Sequence, residues 1–330
     1  MPKVITPDDF IETYAKLRQR GLGFISSKFN LNEIDRAKTA FNHLSIQSSN
    51  WWIIPKVQQR WRKMISGNKD LELEQFIMEN HLKGLKNLKM LSLGSGDCTS
   101  ELKFAKYKNF KEILCTDIAE KPLNKAKEIA TKENLNNIKF QIQDVNNFSL
   151  PENQFDVVYF RASLHHFRNI DSFIGNHILK TLKSDGFLII DEYVGPTRLQ
   201  FSKHQIKSIN KSIKLIPKKL RKRFKLNFYK NKVYGAGLIR MVLADPSECV
   251  DSASIMPSIR KYFETVHETG YGGNILTLAL KDIAHHFVEL DDEKEATLNS
   301  LFDYEDHYLQ KHKSDYIFGI YKPKTNIIAS

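Results

Sequence analysis

The stretch Lys89-Met90-Leu91-Ser92-Leu93-Gly94-Ser95-Gly96-Asp97-Cys98-Thr99 decides how the rest of this chain is read. An apolar run ends in a Gly-x-Gly turn and then enters a segment of helical character. A strand ending in such a turn brings bare backbone against a ligand, because glycine has no Cβ to hold it off. The helix that follows presents unpaired N–H groups to whatever sits there. Asp117 comes about 20 residues later, the distance from which an acid at the end of the next strand grips a ribose. Two nucleoside-type cofactors fit this layout. A dinucleotide wants a third glycine three positions after the second, so that the helix packs close; that position is Thr99.

The downstream segments choose between them. Lys139-Phe140-Gln141-Ile142-Gln143-Asp144-Val145 reads as a short strand ending in an acid, and Gln154-Phe155-Asp156-Val157-Val158-Tyr159-Phe160 as another. Ser163-Leu164-His165-His166-Phe167 follows, and then Ser184-Asp185-Gly186-Phe187-Leu188-Ile189-Ile190-Asp191-Glu192-Tyr193. In four successive places this series resembles the class I S-adenosylmethionine-dependent methyltransferases of small-molecule type. They are the glycine turn, Asp117, Asp144, and the Phe-Asp-Val-Val strand leading into Leu-His-His. The resemblance covers residues 85 to 195 strongly and the C-terminal third loosely. It implies S-adenosylmethionine as cofactor, held by Leu93, Gly94, Ser95, Gly96, Asp117, Ile118, Asp144, Val145, Arg161 and Ala162. Two positions depart from the family pattern: Ser92 stands where an acid usually opens the first motif, and Cys98 replaces a third glycine.

The 330 residues carry 50 Lys and Arg against 38 Asp and Glu, a formal charge of +12. Cys98, Cys115 and Cys249 form no Cys-x-x-Cys pair, which argues against a disulfide framework or a cysteine zinc site. No apolar run approaches the ~18 residues of a spanning helix, and the N-terminus lacks a secretory pattern, so the expectation is a cytoplasmic protein. Between Lys207 and Lys232 lie eleven Lys and Arg and no acid. That tract reads as a solvated face, as a surface for an anionic acceptor, or as an RNA-binding face.

Along the chain, residues 1–84 read as a helical extension or lid. Thr6-Pro7-Asp8-Asp9 is a helix start, with a capping hydroxyl, a proline and then acids. Gly21 and Gly23 end that helix, and Asn32 caps a second carrying Ile34, Ala37, Phe41 and Leu44. Trp51 and Trp52 read either as packing or as a hydrophobic cover over the reaction centre. Residues 85–196 form the cofactor-binding half, alternating strands near 89–93, 113–117, 138–142, 155–160 and 187–192 with helices near 98–107, 121–133 and 171–182. Lys183–Gly186 is a turn feeding the fifth strand. Residues 197–261 read as a basic helical insertion over the acceptor. Residues 262–330 complete the core with a strand, a long helical stretch over ~274–311 and a last strand at Tyr316–Tyr321. The fold class is α/β, a seven-stranded mostly parallel Rossmann-like sheet with helices on both faces. The resemblance implies that the last strand is antiparallel and slotted between the fifth and sixth.

Methyl transfer to a hydroxyl needs a base for the leaving proton, and histidine is the usual one. His165 and His166 follow the fourth strand, where open α/β sheets bind ligands; Glu192 is a second base or a histidine orienter. Phe160-Arg161-Ala162-Ser163 lacks the run found in enzymes that methylate base amines. Asp171 is the only acid near the fourth strand, so no metal site is expected. Tyr271-Gly272-Gly273 reads as acceptor lining or as a plain turn. The expected function is methyl transfer to a small-molecule or sugar hydroxyl. An RNA or protein methyltransferase using residues 207–232, or a non-catalytic relative, are the alternatives.

Overall fold

The computed structural model describes residues 2–20, 49–144 and 150–325. Gly21, Gly23, the helix expected after Asn32, and Val145 lie outside them. Among the described residues the strands are β1 (Leu88–Leu93), β2 (Phe110–Asp117), β3 (Ile138–Ile142), β4 (Phe155–Arg161), β5 (Leu182–Tyr193), β6 (Phe263–Gly272) and β7 (Tyr316–Pro323). They form one sheet in the order β3-β2-β1-β4-β5-β7-β6. The pairs among β1 to β5 are parallel, and β7 runs antiparallel to both β5 and β6. The expected α/β sheet, with its last strand slotted inward, is the one observed.

The helices that follow the chain are α1 (Pro7–Arg20), α2 (Pro55–Ser66), α3 (Leu73–Asn80), α4 (Thr99–Ala105) and α5 (Glu120–Lys132). Next come α6 (Ile170–Phe173), continued by a π turn at Ile174–Ile178, then α7 (Lys203–Ile213), α8 (Leu238–Ala244) and α9 (Ile255–Tyr262). The last two are α10 (Leu276–Leu280) and α11 (Asp292–Leu309). Side chains alternate along a strand, and β1 shows the consequence. Leu88 and Met90 enter a core with Phe76, Phe104, Leu123 and Ala126 from α3, α4 and α5. Leu91 and Leu93 enter the opposite core with Ile170, Ile174, Ile255 and Ile259 from α6, its π turn and α9. Both faces are covered, as a parallel sheet requires.

The N-terminal segment packs into the molecule rather than beside it. Ile65, Phe76, Ile77 and Met78 share the core of β1 and β2. Trp51 is buried, with ring centroids 4.6 Å from Trp61 and 5.2 Å from Tyr316. It sits in a cluster with Ile54, Val57, Leu276 and Leu298, whereas Trp52 is about half exposed. At the start of α1 the Thr6 hydroxyl donates to the Gly235 carbonyl at 2.6 Å. The cap is supplied in reverse, by Asp9 Oδ2 accepting the Thr6 N–H at 2.7 Å.

Three expectations are corrected. Residues 183–186 are not a turn before the strand. Leu182 already pairs with Phe155 while Val157 pairs with Phe187, so they bulge within β5. The stretch 274–311 is not one helix. The Glu305 carboxylate takes the N–H groups of Ile275 and Leu276 at 2.9 and 3.1 Å at the start of α10; the Asp282 N–H leaves the helix for the Ser49 carbonyl at 2.6 Å, and Asp291 caps a fresh start by accepting from Lys294 N at 2.9 Å. The insertion 197–261 is helical only in part; residues 222–237 are irregular, tied by one antiparallel bridge between Lys222 and Tyr229.

Among the described residues no helix is long and apolar enough to cross a membrane. All three cysteines are buried and unpaired.

Candidate active site

The strand order reverses between β1 and β4, the place where open α/β sheets form a ligand crevice. Gly94 (φ +69°) and Gly96 (φ +55°) turn the chain there in the left-handed region. The N–H groups of Gly94 and Ser95 donate to the Thr116 carbonyl at 2.8 and 3.0 Å, pinning the turn to β2. A Cβ on Gly94 would lie 2.7 Å from the Ser163 Cβ, whereas one on Gly96 would meet nothing within 4 Å. Gly94 therefore serves close packing of the turn on the segment after β4, while Gly96 faces open space. Leu93 is buried, and its carbonyl accepts the Ser163 hydroxyl at 2.8 Å.

Asp117 closes β2 and is buried. Its Oδ2 accepts the Gly96 N–H at 2.8 Å and its Oδ1 the Ala119 N–H at 2.7 Å. Burial raises this carboxyl above its ordinary pKa, opposed by those two N–H groups and by the nearby His166. Ile118 is half-buried beside it. Asp144 lies just beyond β3, where the Gln143 N–H donates to the Asp117 carbonyl at 2.8 Å.

Beside Ser92, where the family pattern has an acid, α4 places the carboxyl of Glu101. The Ser92 hydroxyl donates to Glu101 Oε1 at 2.5 Å, and burial pushes the Glu101 carboxyl up to about 7. Beside it, Arg161 at the end of β4 reaches Glu74 Oε1 at 3.2 Å and the Ser100 hydroxyl, and its Nε lies 3.5 Å from Asp191 Oδ2. Glu74 arrives on α3, so the N-terminal segment completes this polar cluster. Ala162 follows with φ +48°, a left-handed conformation that costs a non-glycine residue about 1–2 kcal/mol.

Across the crevice, Leu164–His166 forms one 3₁₀ turn. His165 Nδ1 contacts Glu192 Oε1. Glu192 is fully buried, and its carboxylate also takes the N–H groups of Ser163 (2.8 Å), Leu164 (2.7 Å) and Tyr193 (2.8 Å). His166 Nδ1 lies 3.1 Å from the Ser247 hydroxyl, which itself donates to Asp245 Oδ1 at 2.6 Å. The two imidazole centroids are 4.2 Å apart. Burial lowers the pKa of His165, but the Glu192 carboxylate overrides it and raises the group to about 9. Burial and the neighbouring His165 lower that of His166.

The structure thus brings Leu93 to Gly96, Asp117, Ile118, Arg161 and Ala162 to one end of the sheet with His165, His166 and Glu192. It adds residues that local reading missed. Glu248 places Oε1 3.9 Å from His165 Nε2 and Oε2 3.9 Å from His166 Nε2. No local signal marks Asp245, Ser247 or Glu248, which sit about 80 residues from the histidines in an irregular loop. Asp171 is exposed and paired with Lys261 at 2.8 Å, away from this chemistry. A Cβ on Gly272 would strike the Glu305 carboxylate, and one on Gly273 the Tyr316 ring, so both glycines serve packing. Two of the eleven cations in the basic tract are buried: Arg223 pairs with Asp282, and Lys230 donates to the carbonyls of Leu278 and of Lys281, the latter at 2.6 Å.

Comparison with known proteins gives three findings. A family model described as a methyltransferase domain matches residues 85–263. The uncharacterized methyltransferase YcgJ of Bacillus subtilis strain 168 is 26% identical over 106 residues, which is 32% of this chain and 41% of that relative's length. Among solved structures, the geranyl diphosphate C-methyltransferase of Streptomyces coelicolor A3(2), in complex with Mg2+, geranyl diphosphate and S-adenosyl-L-homocysteine, superposes with a TM-score of 0.52 at 9% identity. That superposition covers 89% of this chain and 99% of that one, and at such identity it shows the fold alone.

Proposed function

The chain belongs to the methyltransferase domain family, the class I S-adenosylmethionine-dependent methyltransferases, and we propose that it transfers a methyl group to a hydroxyl of a small molecule or sugar. The cofactor supplies that methyl on a sulfonium, to be taken by in-line displacement, so the protein's task is positioning and water exclusion. The residues present fit the cofactor. Each Asp117 oxygen engages one backbone N–H and keeps lone pairs for ribose hydroxyls. The open space at Gly96 admits a ligand against bare backbone. Asp144 is proposed for the adenine side. Arg161, beside Ala162, is proposed to meet the cofactor's carboxylate with its second terminal nitrogen, the first being given to Glu74 and Ser100.

The observation that carries the acceptor reading is the tethering of the imidazole pair. Glu192 accepts at His165 Nδ1, and Ser247, its own proton given to Asp245, accepts at His166 Nδ1. Both rings are thereby set with Nε2 as the working atom. His166 Nε2 takes the hydroxyl proton as the oxygen attacks, and His165, locked by Glu192, positions its neighbour. The test is transfer of a tritiated methyl to a panel of hydroxyl metabolites. His166→Ala should lower turnover by ~10²–10⁴ with cofactor affinity, read by calorimetry, unchanged. Undiminished turnover in both His165→Ala and His166→Ala removes the base; a wild-type chain blind to S-adenosylmethionine removes the whole reading.

A further inference from the structure

We infer that Nε2 of His165, Nε2 of His166 and the Glu248 carboxylate form a binding site for one divalent transition-metal ion of the zinc class. The inference concerns the same imidazole pair, but whether the ion binds does not depend on the catalytic reading. Three ligand atoms, one per residue, lie within 4.8 Å of one another. Each Nε2 stands 3.9 Å from a different Glu248 oxygen, too far for a hydrogen bond. That separation is the right order for two atoms sharing an ion, since bonds of about 2.0–2.2 Å set neighbouring ligands roughly 3–4 Å apart. Drawing three atoms that lie within 4.8 Å of one another onto one ion takes a shift of the order of an ångström at most, and Glu248, whose Oε1 also accepts the Cys249 thiol at 3.3 Å, stands on a loop with its side chain 35% exposed.

The tethers make this more than a chance cluster. A metal-bound imidazole almost always donates its other ring N–H to a carboxylate, hydroxyl or carbonyl, which fixes the tautomer and strengthens the ligand. Both rings here are held in that way, His165 by Glu192 and His166 by Ser247 backed by Asp245. Three carboxylates, Glu192, Asp245 and Glu248, surround the pair, so the site favours positive charge. Arg198 is spent elsewhere, donating to the carbonyls of Glu248 at 3.0 Å and Pro246 at 2.7 Å and so bracing the loop. Two imidazoles with one carboxylate suit zinc, cobalt, nickel or iron, whereas magnesium demands oxygen. Binding releases any proton held at Nε2, and the bound ion occupies the lone pair proposed to take the acceptor's proton. A filled site therefore silences that base.

The experiment uses the full chain after chelation, with zinc in equilibrium dialysis and cobalt(II) as a spectroscopic probe. One ion per chain is expected, with an imidazole-type cobalt spectrum. Glu248→Gln should weaken binding at least ~10-fold by removing a charged ligand, and Ser247→Ala ~10-fold by freeing the tautomer; circular dichroism confirms that both variants fold. Zinc remaining in the buffer at equimolar protein, or equal affinity in wild type and Glu248→Gln, overturns the site. Turnover should fall on zinc loading, return with chelator, and resist zinc in Glu248→Gln. Stoichiometric zinc with undiminished turnover supports the ion site and refutes the imidazole base instead.

Discussion

Replacing Glu192 by glutamine keeps size and shape but removes half of what the site asks of that side chain. The carboxylate accepts from four N–H donors, His165 Nδ1 and Tyr193 N on one oxygen, Ser163 N and Leu164 N on the other. An ionised carboxylate is acceptor-only, whereas a side-chain amide puts two donors where one oxygen was. Turned toward Ser163 and Leu164 the amide sets two N–H groups against N–H groups; turned toward His165 and Tyr193 it sets one, because the neutral imidazole then accepts at Nδ1, and no solvent relieves the conflict, since Glu192 is 0% exposed. A buried donor left unpaired costs about 1–3 kcal/mol. Glu192→Gln should therefore lower unfolding free energy by about 1–3 kcal/mol, read as a shift of the urea midpoint at constant slope. Turnover of the folded variant should fall as well, because His165 loses its anchor, while calorimetric affinity for S-adenosylmethionine changes little. The control is Asp171→Asn, whose exposed pair with Lys261 should leave the midpoint almost where it was. A Glu192→Gln midpoint as unmoved as the control's would show that the four donors do not converge on this carboxylate, and the account of the site would fall with it.

Two further outcomes follow from the same geometry. Gly94→Ala should destabilise by about 1–3 kcal/mol more than Gly96→Ala, since only the first pushes a methyl into Ser163; Gly96→Ala should instead lose cofactor affinity, and calorimetry showing full affinity would remove Gly96 from the cradle. Lys230 tests the buried end of the basic tract. Burial brings its amine down to about 7, so between pH 7 and its ordinary range the unfolded chain binds the extra proton and stability rises with pH. Over roughly 3 pH units that rise is on the order of 4 kcal/mol. Lys230→Met should lack it, and equal slopes for the two proteins in urea titrations at pH 7 and pH 9.5 would refute the assignment.

What the sequence determined by itself is what local pattern can encode. Alternating apolar residues and the Gly94–Gly96 turn fix β1 and its exit, and Asp117, His165, His166 and Glu192 could be named because each sits at a strand end whose position the periodicity reveals. Departures from local rule needed the tertiary structure. The helix expected across 274–311 breaks after Leu280, where Asp282 turns at φ +67° and gives its N–H to the Ser49 carbonyl at 2.6 Å, a contact that no propensity records. The basic tract reads as a continuous surface, yet Arg223 is buried on Asp282 and Lys230 on the carbonyls of Leu278 and Lys281. Glu74 joins Arg161 only because α3 docks on the sheet. Glu248 and Ser247 meet the histidines only because the irregular loop after α8 folds back over the strand ends, where the Val250 N–H donates to the His165 carbonyl at 3.2 Å. Secondary structure arises from neighbours along the chain and leaves a period to read. Convergence of side chains from segments some 80 residues apart is set by which surfaces bury one another, and that leaves no period at all.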